Sequence, residues 1–160
     1  MAVRKIKIAL IEDSQTVRYF YKSVFEKAGF EVFEAENATA GWDVICERKP
    51  DIIVLDMMMP KIPGIELLKR IRSVSFCRDT PVLVLSAVKD QDKVQEIIQS
   101  GANQFVLKGM DSPELIREQV YKLLKDKAEK KVIQKLNGED GEETKEEADD
   151  PGMDRLFWWH

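Results

Sequence analysis

The feature that most constrains this sequence is a fivefold alternation of short apolar runs with longer amphipathic stretches. The five predicted strands cover residues 5–11, 30–35, 52–55, 81–85 and 104–107. The third and fourth runs are unbroken series of isoleucine, valine and leucine, which is typical of strands buried on both faces of a parallel sheet. Five strand–helix units joined by short links require right-handed crossovers, so helices should cover both faces. The sequence therefore predicts a doubly wound α/β domain.

Capping residues and glycines set the expected limits of the helices. Ser14, Asn37 and Asp90 are predicted to cap the first, second and fourth helices, because their side chains can accept a hydrogen bond from a free backbone N–H. Gly29 and Gly101 are expected to end the first and fourth helices. The third helix is expected over residues 64–73, and Ser112-Pro113 should open the fifth, with proline at the first helical position. The buried stripe of the first helix is predicted to consist of Val17, Phe20, Val24 and Phe25.

Composition excludes several other classes of protein. No apolar run approaches the roughly 20 residues that a transmembrane helix needs, and the N-terminus lacks the features of a signal peptide. We therefore expect a cytoplasmic protein without a membrane span. Cys46 and Cys77 form no close motif, and the only histidine is His160, so chemistry that needs an internal histidine is not expected.

Charge divides the chain into parts. The net charge is −4, but residues 139–150 contain eight acids and one lysine, which leaves about +3 on residues 1–138. We predict a folded domain over residues 1–126, an extension of the last helix over 127–137 and an acidic, disordered tail over 138–160. The tail ends in an aromatic segment, Leu156-Phe157-Trp158-Trp159.

Two features beyond the domain have open interpretations. On the helix extension, Val132, Ile133 and Leu136 are either part of a solvated helix end or a contact site for a partner or a second copy. The aromatic segment at 156–159 is a possible docking site. It could anchor the chain to a partner, dock back onto this chain, or have no function.

Polar residues gather where the predicted strands end. Glu12 and Asp13 follow the first strand, Asp56 the third, Ser86 the fourth and Lys108 the fifth. Ligands of doubly wound sheets bind at this carboxyl edge. Three neighbouring carboxylates repel one another unless a cation lies among them, and oxygen ligands beside a phosphate favour Mg²⁺. Each residue alone is more often a helix cap, a turn former or a surface charge, but their joint placement favours a phosphoryl-transfer site.

At these positions the sequence resembles the receiver domain of two-component response regulators, including the single-domain chemotaxis type. The resemblance runs from about Lys5 to Leu124. The family's acidic pair corresponds to Glu12 and Asp13, and its phospho-accepting aspartate to Asp56, followed by Met57-Met58-Met59-Pro60 and by Gly64. The remaining matches are the hydroxyl switch position Ser86 with Ala87 after it, the lysine Lys108, and the aromatic switch position Phe105.

The resemblance implies a flavodoxin-like sheet with strand order 2-1-3-4-5 and a Mg²⁺ ion held by Glu12, Asp13, Asp56 and the backbone carbonyl of Met58. It implies that Asp56 takes a phosphoryl group from a histidine kinase or phosphotransfer protein. Ser86 and Lys108 would then contact the phosphate, and Phe105 would turn inward. The face of helix four, strand five and helix five would bind a downstream protein. Beyond transferring phosphate onto itself and losing it, the chain is not expected to be an enzyme.

Two departures from the family pattern carry predictions. Gly109 stands where the family usually has a proline after its lysine, which predicts a trans peptide bond or a backbone conformation specific to glycine. Met58 and Val88 flank the phosphorylation site and are apolar, so neither can orient an attacking water. We therefore predict slow self-dephosphorylation.

Two other functions also fit parts of the sequence. A constitutive scaffold that works through its C-terminal tail would leave the acidic site unused. A Mg²⁺-dependent phosphatase usually needs an acid two residues after its nucleophile, and Met58 occupies that position. We expect no direct nucleic-acid binding, since no second folded domain is predicted, and a monomer or weak dimer.

Overall fold

The computed structural model describes residues 3–138, in which five strands alternate with five helices. The strands are β1 Lys7–Ile11, β2 Glu31–Ala35, β3 Ile52–Asp56, β4 Val82–Ser86 and β5 Gln104–Leu107. The helices are α1 Gln15–Lys27, α2 Ala38–Arg48, α3 Gly64–Ser73, α4 Gln91–Gln99 and α5 Pro113–Leu136.

All five strands form one parallel sheet in the order β2-β1-β3-β4-β5. This confirms the predicted doubly wound fold. Every residue of β3 and β4 is buried, as their continuous apolar runs predicted. The strand order places β1 beside β3 and β3 beside β4, so the carboxyl ends of these strands are neighbours.

Two strands differ from their predicted limits in a way that matters for the site. Asp56 and Ser86 are the last residues of β3 and β4 rather than the residues just beyond them. Asp56 is paired with Leu85 in the ladder, and the N–H of Met57 donates to the carbonyl of Leu85 at 3.3 Å. Pro81 lies outside β4, because proline has no N–H to donate to a ladder. Rigid sheet backbone therefore fixes two of the polar residues directly.

Side-chain caps begin the helices where the sequence predicted them. Oxygens of Ser14, Asn37 and Asp90 accept hydrogen bonds from backbone N–H groups in the first turns of α1, α2 and α4. Ser112 does the same at the start of α5, where its Oγ accepts from the N–H of Leu115 at 3.2 Å. Gly29, with φ +90°, follows α1 and turns the chain toward β2.

One face of the sheet packs against α1 and α5. The core on this face includes Phe25 from α1 and Val120 from α5, which are both fully buried. The predicted stripe of α1 was wrong at one position, since Phe20 is 45% exposed and Tyr21 is buried. Tyr21 precedes Phe25 by four residues and therefore lies on the same side of the helix.

The opposite face packs against α2. Gly41 of α2 lies so close to the sheet that an added Cβ would be 2.8 Å from the Cδ1 atom of Ile11 in β1. Helix α3 also contributes a buried apolar side, formed by Leu67, Leu68 and Ile71. Helices thus cover both faces, and the carboxyl edge of the sheet stays available to polar side chains.

The chain divides into two compact units, residues 1–124 and 125–160. The first contains the sheet, and the second contains the C-terminal half of α5. In the second unit, Val132, Ile133 and Leu136 are exposed. The predictions for the acidic tail and for Leu156, Phe157, Trp158 and Trp159 concern residues outside the described range. Within residues 3–138, no helix has both the length and the apolarity needed to cross a membrane.

A substitution at Gly64 tests how tightly the loop after β3 is packed. A Cβ at this position would overlap the carbonyl oxygen of Asp56 and lie 2.7 Å from the Cα of Met57. Backbone cannot move aside as a flexible side chain can, so we expect Gly64→Ala to lower the free energy of unfolding by roughly 3 kcal/mol. Gly29→Ala is the control, because that residue has open space around it and should cost only about 1 kcal/mol of backbone strain. Urea unfolding measures both, and equal losses would contradict the steric argument.

Candidate functional site

Adjacent strands deliver four polar side chains to one edge of the sheet. Glu12 follows β1, Asp56 ends β3, Ser86 ends β4, and Lys108 follows β5. Glu12, Asp56 and Ser86 are fully buried. The N–H of Lys108 donates to the carbonyl of Ser86 at 2.9 Å, which fixes the start of the loop after β5. The structure thus brings together residues that lie up to 96 positions apart in the sequence.

The ammonium group of Lys108 joins two of the carboxylates. Its Nζ lies 2.8 Å from Oε2 of Glu12 and 3.0 Å from Oδ1 of Asp56. The side chain therefore reaches from the end of β5 past β4 to the ends of β1 and β3. One positive charge offsets part of the repulsion between two buried acids, and removing it would leave both without a counter-charge.

The two oxygens of Asp56 have different surroundings. Oδ1 accepts a hydrogen bond from the N–H of Met58 at 3.0 Å, in addition to its ion pair with Lys108. Oδ2 is buried and has no hydrogen-bond partner among the described residues. A buried, unpartnered carboxylate oxygen is costly unless a ligand completes its environment. This oxygen therefore indicates a ligand site.

Asp13 completes a group of three acids. Carboxylate oxygens of Glu12, Asp13 and Asp56 all lie within 4.8 Å of one another. Asp13 is exposed, whereas the other two are buried, so the group opens toward solvent on the side of Asp13. Three carboxylates at this spacing, one of them with an unpartnered oxygen, suit a hard divalent cation such as Mg²⁺.

Burial shifts the ionisation of this group. It raises the pKa of Glu12 to about 7, although Lys108 opposes the shift. Burial also raises the pKa of Asp56, although the hydrogen bond from the N–H of Met58 and the ammonium group of Lys108 both lower it. For Lys108, burial lowers the pKa, but the contacts with Glu12 and Asp56 outweigh it and leave the pKa above its ordinary value. Burial would also raise the pKa of Asp13, but its interactions with Asp56 and Glu12 leave the pKa below its ordinary value.

The other predicted site residues lie around this centre. The Oγ of Ser86 accepts a hydrogen bond from the N–H of Val88 at 3.1 Å, which leaves its own hydrogen free to donate elsewhere. Ala87 is exposed, and Val88 and Phe105 are half-buried. Phe105 is paired with Val84, two residues before Ser86 in the neighbouring strand. The side chain of Met58 is 61% exposed beside the acidic group.

The prediction for Gly109 is confirmed. The described residues contain no cis peptide bond, and Gly109 has a φ of +77°. This left-handed conformation suits glycine because it has no Cβ. Lys108 reaches both acids in this arrangement.

Sequence reasoning missed Arg18. Its Nη1 donates to the backbone carbonyl of Glu12 at 2.7 Å, and its Nε lies 3.3 Å from a carboxylate oxygen of Glu34. Arg18 thus ties the peptide that carries the acidic pair to α1 and β2. The sequence shows a basic residue in the first turns of α1, but only the folded chain shows that its guanidinium group turns to the backbone.

The comparisons with known proteins agree with this geometry. A model of the response regulator receiver domain matches residues 8–121, and the chain belongs to that family. It is a receiver module of two-component signalling, similar to chemotaxis regulators, and such domains are signalling modules rather than classical enzymes. The resemblance proposed from the motifs is confirmed.

Individual relatives show how far the similarity extends. Sporulation initiation phosphotransferase F of Bacillus subtilis is 33% identical over 118 residues, which is 74% of this chain and 93% of that protein. The phosphate regulon transcriptional regulatory protein PhoB of Pseudomonas aeruginosa is 34% identical over 109 residues, but the match spans only 48% of PhoB. The solved structure of the Vibrio cholerae chemotaxis protein CheY4 superposes with a TM-score of 0.71 at 26% identity, covering 75% of this chain and 99% of CheY4.

The raised pKa of Glu12 predicts how stability varies with pH when a chelator removes metal ions. The folded pKa of about 7 lies above the ordinary value of 4.5, so the folded state binds more protons and loses stability as pH rises through this interval. Glu12→Gln carries no such charge. The variant should therefore gain stability relative to the wild type between about pH 5 and pH 8, by roughly 3 kcal/mol at most.

Urea unfolding at several pH values in EDTA measures this difference. Glu31→Gln, at an exposed position on β2, is the matched control and should show a smaller pH-dependent difference. Mg²⁺ should stabilise the wild type more at pH 8 than at pH 5, because the ion competes with protons for the same oxygens. A pH-independent difference between wild type and Glu12→Gln would contradict the argument.

Proposed function

We propose that this chain is a phospho-accepting response regulator in which Asp56 receives the phosphoryl group. The observation that carries the proposal is the environment of Asp56 Oδ2. This oxygen is buried and unpartnered among the described residues, while Oδ1 of the same carboxylate is held by the Lys108 ammonium group and the N–H of Met58. One oxygen is fixed, and the other is available as a nucleophile.

Phosphoryl transfer requires little of the protein except positioning and neutralisation of charge. In the proposed reaction, Oδ2 of Asp56 forms a bond to the phosphorus of a phosphohistidine as the phosphorus–nitrogen bond breaks. The electron pair of the broken bond stays on the imidazole of the donor. Lys108 lies 3.0 Å from the other oxygen of Asp56, so its positive charge is close enough to offset charge on the incoming phosphoryl oxygens.

Glu12, Asp13, Asp56 and the backbone carbonyl of Met58 would hold Mg²⁺. When bound, this ion would supply positive charge to the phosphoryl oxygens. The donor set supports the assignment, since three of the four ligands are carboxylates whose oxygens lie within 4.8 Å of one another. With Mg²⁺ bound, Glu12 and Asp56 would be ionised despite their burial.

Phosphorylation would act on the rest of the domain through Ser86. Within residues 3–138 the Oγ of Ser86 accepts from the N–H of Val88 and has no acceptor for its hydroxyl hydrogen, so that hydrogen is free to donate. A move of Ser86 toward a phosphoryl oxygen would draw Ala87 and Val88 with it, and Phe105 would turn inward beside β4. The surface of α4, β5 and α5 would then change its packing, and a downstream protein would read the change. The phosphate donor would be a histidine kinase or a phosphotransfer protein.

Labelling with a small phosphate donor tests the acceptor. Wild-type protein with acetyl phosphate and Mg²⁺ should gain the mass of one phosphoryl group, and Asp56→Asn should gain none, because an amide oxygen is a far weaker nucleophile. Asp79→Asn, at an exposed position in the loop before β4, is the matched control and should be labelled normally. Intact mass spectrometry makes the measurement, with EDTA as the metal-free condition. Undiminished labelling of Asp56→Asn would reject the assignment.

A second experiment tests the apolar position beside the acceptor. Met58 is 61% exposed and cannot orient water, so the phosphorylated chain should lose its phosphate slowly. Met58→Asn supplies an amide that can hydrogen-bond an attacking water, and we expect hydrolysis to become about tenfold faster. Met110→Asn is the control, since Met110 is similarly exposed on the loop after β5. Decay of the phosphorylated mass gives the rates, and an unchanged rate for Met58→Asn would show that this position does not limit hydrolysis.

A further inference from the structure

The C-terminal end of α5 carries an exposed apolar surface. Val132 and Ile133 are each 56% exposed and Leu136 is 81% exposed. Ile133 directly follows Val132, and Leu136 comes three positions later, so the three residues lie together within little more than one helical turn. We call them the terminal patch. An exposed aliphatic surface gains about 25 cal/mol for each Å² that a partner covers, so this surface favours an occupant.

Positive charge surrounds the terminal patch. Residues 125–136 contain five lysines and two acids, a net charge of +3. Oε1 of Glu129 lies 3.9 Å from Nζ of Lys125, so these two side chains form an ion pair. Lys130, Lys131 and Lys135 have no ion-pair partner within residues 3–138. An occupant of this surface should therefore combine apolar side chains with negative charge.

The remainder of the sequence has that combination. Residues 139–150 carry a net charge of −7, and the aromatic segment follows at Leu156-Phe157-Trp158-Trp159. No other part of the sequence joins so many acids to neighbouring aromatic residues.

The connection to α5 allows the tail to reach the patch. Gly138 has a φ of +70°, and its N–H donates to the carbonyl of Lys135 at 3.3 Å. Such a glycine ends a helix and turns the chain from the helix axis. Seventeen residues lie between Gly138 and Leu156, enough for about 60 Å when extended, whereas the twelve residues 125–136 rise only about 18 Å as a helix.

A second copy of the chain fits the terminal patch less well. A coiled coil needs apolar positions sustained over three or four heptads, and the described residues beyond 125 offer only Ala128 in addition to the patch. The same lysines would face one another in a pair of these helices, and like charges at close range are unfavourable.

We propose that the aromatic segment 156–159 docks on the terminal patch of its own chain, with the acids of residues 139–150 facing the lysines of α5. The tether keeps the local concentration of the segment high, in the millimolar range for short flexible linkers, so a weak contact is enough. Charge attraction contributes within a Debye length of about 10 Å at 0.1 M salt, so added salt weakens the contact. This inference does not depend on phosphorylation of Asp56.

Tryptophan fluorescence of the full chain tests the proposal. The chain has three tryptophans, and Trp42 is buried in the domain. Subtracting the spectrum of Trp158→Ser/Trp159→Ser from that of the wild type isolates the emission of the tail. We expect this difference spectrum to lie at a shorter wavelength than that of a solvated indole and to be protected from acrylamide quenching. Both effects should be lost in the background Val132→Gln/Ile133→Gln/Leu136→Gln, where glutamine keeps the helix but removes the apolar surface.

A matched control removes exposed apolar groups elsewhere. Ile98→Gln/Leu115→Gln changes residues that are 42% and 38% exposed on α4 and the start of α5, and it should leave the tail emission unchanged. Circular dichroism checks that α5 stays helical in the triple variant. A solvent-like difference spectrum in the wild type would overturn the proposal, as would a shifted spectrum that persists in the triple variant. A shift that appears only at high protein concentration would assign the contact to a second copy and overturn docking within one chain.

Discussion

The ion pair of Lys108 with Glu12 and Asp56 is the interaction on which the candidate site depends. Two fully buried carboxylates lie close together at the edge of the sheet, and burial favours their neutral forms. The ammonium group, at 2.8 and 3.0 Å, makes it possible for negative charge to exist there. A single positive charge cannot balance three acids, so the group stays receptive to a divalent cation. An anionic ligand then finds positive charge already in position.

The apolar sheet gives this electrostatic arrangement its strength. Asp56 and Ser86 end strands whose residues are all buried, so water cannot surround their side chains and charges interact strongly. Backbone contacts fix the geometry from several directions. Gly64 allows the loop after β3 to pack on the carbonyl of Asp56. The side chain of Arg18 donates a hydrogen bond to the carbonyl of Glu12, and the backbone carbonyl of Ser86 accepts one from the N–H of Lys108. The site is thus built from rigid elements. Functional groups that must be positioned within tenths of an ångström require such support.

The two units of the chain use charge in opposite ways. At the candidate site, Lys108 contacts two fully buried carboxylates directly, so the geometry of these charges is specific. At the C-terminal end of α5, lysines and aliphatic side chains are exposed side by side, and the complementary acids and aromatic residues lie further along the sequence. A buried ion pair is affected mainly by a ligand that binds beside it. The interactions of exposed charges are weakened by salt and can form with any chain of suitable composition. A contact at the end of α5 would therefore be less specific than binding at the buried site.

The sequence by itself determined the class of fold and placed four polar residues at one edge of the sheet. Continuous apolar runs at β3 and β4 are typical of strands inside a parallel sheet, and the carboxyl ends of such strands share one edge. Glu12, Asp56, Ser86 and Lys108 could therefore be placed together from the sequence pattern. Tertiary structure decided what periodicity cannot express. It showed that Tyr21 rather than Phe20 faces the core, that Arg18 turns to the backbone, and that only one oxygen of Asp56 lacks a donor. These outcomes depend on distances between residues far apart in the chain, and local sequence carries no information on such distances.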